Sequence, residues 1–128
     1  MGLVKVVADI GLNRDALQEI EFLVDTGSFY TFPPADLAES MGIDFPVTPR
    51  VVLADSREAE VRVGVAYLRL ENREGGIMVA AMNVPMPLLG ASALEVLGMK
   101  VDTVSEVLEH SRPFGPSALA GLVAFGDI

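Results

Sequence analysis

Short apolar runs with a two-residue repeat, cut every few positions by proline or glycine, limit this chain more than any other feature of its sequence. Val4, Val6, Ala8 and Ile10 alternate with Lys5, Val7 and Asp9. Side chains of a strand alternate between its two faces, so this reads as a half-buried strand. Gly11 to Asp15 is turn material, and Ala16 to Val24 resumes as a second strand. The pair predicts an N-terminal hairpin whose second strand runs directly into Asp25-Thr26-Gly27-Ser28. A strand that ends on a carboxylate, a small hydroxyl and a glycine presents acid–base chemistry on a tight loop.

The same pattern continues downstream. Phe29 to Phe32 is short and β-rich, and Pro33-Pro34 breaks it. Pro34 to Met41 predicts a two-turn helix, with proline in its first turn and Gly42 just past its end. Val47 to Leu53 predicts a strand at an edge, because Pro49 lacks an N–H to donate. Val51 to Tyr67 predicts a long hairpin with Ala54-Asp55-Ser56-Arg57 at its tip. Leu68 to Arg73 and Ile77 to Met82 predict a further hairpin turning at Glu74-Gly75-Gly76. After Leu88-Leu89-Gly90, Ala91 to Leu97 predicts a helix stopping at Gly98. Val101 to Leu108 predicts a last strand, and Ala118 to Phe125 fits either a helix or a strand. With two short helices and no βαβ alternation, the expected class is all-β, a small closed or barrel-like sheet.

At 128 residues the chain has the size of one domain. A hydrophobic share of 51% is high for a soluble monomer and suggests apolar surface covered by a partner. The balance of 9 basic against 18 acidic residues, 9 − 18 = −9, argues against nucleic acid and anionic membrane as partners. No cysteine is present, which rules out thiolate chemistry and fits a reducing cytoplasm. The N-terminal apolar stretch is too short and wrongly flanked for a signal peptide, and Val6 stands where myristoylation wants Ser or Thr. A single histidine, His110, leaves no Ser–His–Asp triad with internal support. The acidic residues lack calcium-loop spacing, and Gly75-Gly76 lacks the Lys and Ser/Thr of a phosphate loop. No metal and no cofactor is therefore expected. Asp102 lacks a following glycine and reads as a turn or strand-edge residue.

Asp25-Thr26-Gly27-Ser28 behind an apolar strand, followed by Leu88-Leu89-Gly90 before a helix, resembles the retropepsin-like (retroviral-type) aspartic proteases. The interval is 90 − 25 = 65 residues, close to the family spacing, and the resemblance spans about residues 3 to 109. It divides the chain into a protease domain over 1–110, supplying half a site, and a tail over 111–128 of unassigned role. The family implies a homodimeric aspartic endopeptidase in which two Asp25 carboxylates share one proton and activate a water. By resemblance, Thr26 bonds across the interface, Gly27 lets backbone approach substrate closely, and its N–H bonds the inner carboxylate oxygen. Ser28 donates its hydroxyl to the outer oxygen. Leu88, Leu89 and Gly90 form the segment crossing under the loop. The Val51 to Val63 hairpin corresponds to the flap, with Ala54, Asp55, Ser56 and Arg57 as its candidate residues, although its tip, Asp55-Ser56-Arg57-Glu58, is polar and charged where the viral flap is glycine-rich. The expected partners are a second copy and a peptide or protein substrate, with Val and Leu pockets favouring hydrophobic residues around the cut. Aspartate also caps turns well. The other reading is thus a catalytically inactive peptide-binding or dimerisation domain of the same fold.

Overall fold

The computed structural model describes residues 3–113 and residue 115. The N-terminal alternation folds as β1 (Lys5–Gly11) and β2 (Leu17–Asp25), antiparallel from Lys5↔Leu23 to Gly11↔Leu17. Two further strands, β5 (Arg62–Leu70) and β6 (Arg73–Ala81), pair over their full length. β1 joins β5 through Asp9↔Arg69, Ile10↔Leu68 and Gly11↔Tyr67. β7 (Leu88–Gly90) lies parallel to β2, which gives a five-stranded sheet in the order β6-β5-β1-β2-β7. The sheet curls into a half-barrel, and the class is all-β.

Two helices close it. α1 (Ala35–Ser40) begins after Pro34 and ends before Gly42. α2 (Ala91–Leu97) stops at Gly98, whose φ of 68° is the left-handed conformation that glycine adopts without a Cβ penalty. The core gathers the inward side chains of these elements. Ile10, Phe22, Leu68, Val79, Leu89 and Leu97 are fully enclosed. Burying a side chain of that size is worth roughly 1.5–3 kcal/mol. A second, smaller cluster of Phe32, Val61, Val63 and Ala80 packs with Tyr30, Val51, Met82 and Leu88.

Four expectations need correction. The β5–β6 turn is Glu71-Asn72, between the paired Leu70 and Arg73, and Glu71 takes φ 56°. Gly75 and Gly76 lie inside β6 opposite Leu68 and Tyr67. Glu74 is drawn into the strand because its carboxylate takes the Tyr67 hydroxyl at 2.5 Å and faces Arg14 and Arg69 at 3.1 and 3.5 Å. The Val101 to Leu108 segment is likewise a hairpin, β8 (Met99–Asp102) against β9 (Val107–His110). Asp102 folds the chain there: its carboxylate accepts the N–H of Val104 and Ser105 and the Ser105 hydroxyl. Those bonds, the hydroxyl's first, hold the Asp102 carboxyl below the usual carboxylate range.

The other two concern the middle of the chain. The Val47 to Leu53 strand shrinks to β3 (Arg50–Val52), preceded by a single bridge from Val47 to Val63. The long Val51 to Tyr67 hairpin divides: β3 pairs with β4 (Glu58–Glu60) over three residues, and β5 then joins the main sheet. The tail segment Ala118 to Phe125 falls outside the described residues.

Candidate active site

Asp25 is the last residue of β2, where the strand leaves the core and the backbone turns. Ser28 N–H donates to the Asp25 carbonyl at 3.1 Å, closing the turn over Asp25 to Ser28. Gly27 N–H donates to Asp25 Oδ1 at 3.0 Å. A hydrogen bond to a carboxylate oxygen fixes its rotamer. The carboxyl is half-buried, while Thr26 and Gly27 are exposed beside it. Ser28 departs from expectation: its hydroxyl donates to the Tyr30 carbonyl at 2.8 Å and not to Asp25. The loop bends back on itself after Ser28, so the nearest acceptor is its own backbone.

The two sequence motifs meet in space. β2 and β7 pair in parallel as Leu23↔Leu88, Val24↔Leu89 and Asp25↔Gly90. Residues Phe29 to Thr31 pass directly over Gly90. A Cβ built there would lie 2.2 Å from the Tyr30 carbonyl oxygen and 2.9 Å from that of Phe29. Only glycine permits this crossing. Gly90 N–H donates to the hydroxyl of Thr31 at 3.0 Å, and Thr31 is wholly buried. Thr31 also joins β6 through its own N–H to the Met78 carbonyl and its carbonyl to the Ala80 N–H. Phe32 and Leu88 exchange two backbone bonds of 2.8 and 3.0 Å. Gly90 is at once the end of β7 and the N-cap of α2. The first helical N–H groups are aimed at the loop: Ala91 N–H donates to the Ser28 carbonyl at 2.6 Å, and Ser92 N–H and hydroxyl both donate to the Phe29 carbonyl.

Above Asp25 lies a cavity of roughly 550 Å³. Asp25, Gly27 and Ser28 form its floor; Tyr30, Phe32, Met82 and Leu88 its wall; Val51 to Ala54 its roof. Among the described residues, Asp25 is the only carboxylate in this lining. Ala54 reaches the cavity, but Asp55, Ser56 and Arg57 do not line it. They close the hairpin tip on itself, with Leu53 N–H on the Arg57 carbonyl at 2.7 Å and Arg57 Nε 2.5 Å from Asp55 Oδ2. Val51, Val52, Leu53 and Leu88 supply the expected aliphatic lining, and the rings of Phe29, Tyr30 and Phe32 stand beside them. Phe29 and Tyr30 stand edge to face at 5.1 Å, and Phe29 remains exposed. These residues follow the Asp25 motif directly in sequence, and that adjacency was the available signal. Thr31 had no such signal, because its partner Gly90 N–H is 59 residues away. His110 sits in β9 opposite Met99.

A family profile described as aspartyl protease matches residues 7–101. A search of curated proteins returns no match. Among solved structures, the EIAV protease complexed with the inhibitor HBY-793 superposes with a TM-score of 0.59 at 13% sequence identity. That alignment covers 79% of this chain and 93% of the other. The fold is that of a retroviral protease.

Proposed function

The chain belongs to the aspartyl protease family, and from that premise we propose that it is an endopeptidase active as a homodimer, with Asp25 of each protomer facing its counterpart. The observation that carries this reading is the lone half-buried carboxylate, held by Gly27 N–H on the floor of an apolar cleft. One carboxylate cannot serve as general acid and general base at once. A two-fold axis beside the exposed Thr26 supplies the second without any change in sequence, and two-fold dimers are the commonest oligomers.

In the aspartic proteases two such groups about 3 Å apart cannot both ionise, so the pair holds one proton. The charged member takes a proton from a water lying between the two. The resulting hydroxide bonds to the scissile carbonyl carbon while the neutral member gives its proton to the carbonyl oxygen. The tetrahedral species collapses as the C–N bond breaks. The amine leaves with the proton taken earlier from water, a hydroxyl of the tetrahedral species returns its own proton to the other carboxylate, and the singly protonated dyad is restored. Thr26 locks the two loops across the axis, and the β3–β4 hairpin acts as a flap that excludes water from the cleft. An extended peptide fits between flap and floor through main-chain bonds. Tyr30, Phe32, Met82 and Leu88 favour apolar side chains on either side of the cut.

The test is cleavage of a peptide library between pH 3 and 7, with optimum activity on the acid side. Asp25→Asn should abolish turnover while sedimentation still finds a dimer. A pepstatin-type mimic of the tetrahedral species should raise the melting temperature. A strictly monomeric protein that cleaves nothing and ignores the mimic would leave the peptide-binding reading in its place.

A further inference from the structure

The far end of α2 is held by two arginines that the catalytic reading does not use. A helix leaves its last carbonyls without intrahelical partners. In α2 the Gly98 N–H caps the carbonyls of Leu94 and Glu95, and side chains from other elements also reach this end. Arg112, beyond β9, donates from Nη1 to the Glu95 carbonyl and from Nη2 to the Val96 carbonyl, both at 2.9 Å. Arg73, from β6, donates from Nη1 to the carbonyls of Leu97 and Gly98 at 3.0 and 2.9 Å. Arg73 Nη2 also donates to the Arg112 carbonyl at 2.8 Å, which joins the two arginines. Arg73 is buried, so its cation lies where the partial negative charge of the helix end is least screened. The last turn of α2 has no basic residue of its own.

We propose that Arg112, with Arg73, positions the Ser28–Phe29 loop by holding α2 from its opposite end. Seven residues are too few for a helix to persist without being held. Its other end carries the N–H groups of Ala91 and Ser92 that grip the carbonyls of Ser28 and Phe29. Buried Ala93 and Leu94 seat its middle against the core, and Leu97 its last turn. The helix is thus a strut between the loop that holds Asp25 and the stem that follows β9. Release of the guanidinium fork lets the last turn fray, and with two turns in all the loosening reaches Ala91 and Ser92. Arg112 is a positioning residue, since it touches neither the cleft nor Asp25. The inference rests on the protease reading only in taking the loop as the catalytic one.

Two variants and two readouts test it. Arg112→Ala should speed amide exchange at Ala91 and Ser92 about tenfold and shift the Gly27 amide resonance, with Ile10 and Phe22 unchanged. In the peptide assay kcat should fall about tenfold with KM little altered, because orientation rather than binding is lost. Arg112→Lys keeps the charge but not the two-pronged geometry and should recover only part of both effects. It also serves as the readable variant should the alanine form not fold. Faster exchange confined to Leu97 and Gly98, or a loosened helix with unchanged kcat, overturns the proposal. If the wild-type protein cleaves nothing, the protease reading fails alone, and the amide data still decide whether Arg112 holds the loop.

Discussion

The floor and the roof of the cleft are built by opposite means. The floor is a crossing of segments far apart in sequence. Asp25 pairs with Gly90, Thr31 bonds to Gly90 and to β6, and fully enclosed Leu89 and Phe22 stand behind them. The roof is three residue pairs between β3 and β4, closed by contacts within one tip, and its Val52 is exposed. Geometry in the floor is therefore tied to global stability. Geometry in the roof is local, and it can change at little cost to the fold. The proposed function uses both: a catalytic carboxylate needs the first arrangement, and a cover that admits an extended chain needs the second.

Substitutions on each side should break or sharpen this contrast. The largest effect is expected from Gly90→Ala, whose methyl would overlap a backbone carbonyl that cannot withdraw. A loss of about 3 kcal/mol or more should appear as a lower urea midpoint with an unchanged slope. Thr31→Val keeps the shape but strands the buried Gly90 N–H, at about 1–3 kcal/mol in the same measurement. The roof should respond differently. Ser56 sits at φ 71°, so Ser56→Gly should be neutral or stabilising by roughly 0.5 kcal/mol. A large destabilisation by Ser56→Gly would mean that the roof is as tightly coupled to the body as the floor.

The smallest effect belongs to the outer wall, away from both. The Tyr67 hydroxyl, then Arg14 and Arg69, holds the Glu74 carboxyl below its ordinary range. Its folded value lies below its unfolded one, so the stability it adds is present above the unfolded value and fades as pH falls through the folded one. The same bond raises the Tyr67 hydroxyl, whose contribution fades as pH rises through that raised value. Glu74→Gln should flatten the acid limb of a melting-temperature-against-pH curve slightly and leave the floor variants' losses unchanged.

How much of this was legible in the sequence follows the same division. Local signals read well: alternation located β1 and β2, Pro34 and Gly42 bracketed α1, and Gly98 ended α2. The family resemblance carried by the two motifs implied that they meet. Signals failed where a side chain overrode the usual turn residues. Glu71 takes the left-handed turn position while Gly75-Gly76 stays in the strand, and Asp102 folds what reads as one continuous strand. The Ser28 hydroxyl and the two arginines under α2 answer to backbone carbonyls, and a sequence does not print where carbonyls point.

The parallel pairing of β2 with β7 also governs when the site comes into being. The contact between Asp25 and Gly90 spans 90 − 25 = 65 residues. Closing a loop of that length carries an entropic cost of about 4 kcal/mol before any contact offsets it. The two long antiparallel hairpins, by contrast, form between neighbours in the chain and are fast by comparison. A ribosome must release the chain past Gly90 before Asp25 has a floor to stand on. During synthesis the hairpins are thus the early structures, and the acid loop is among the last parts of the molecule to take shape.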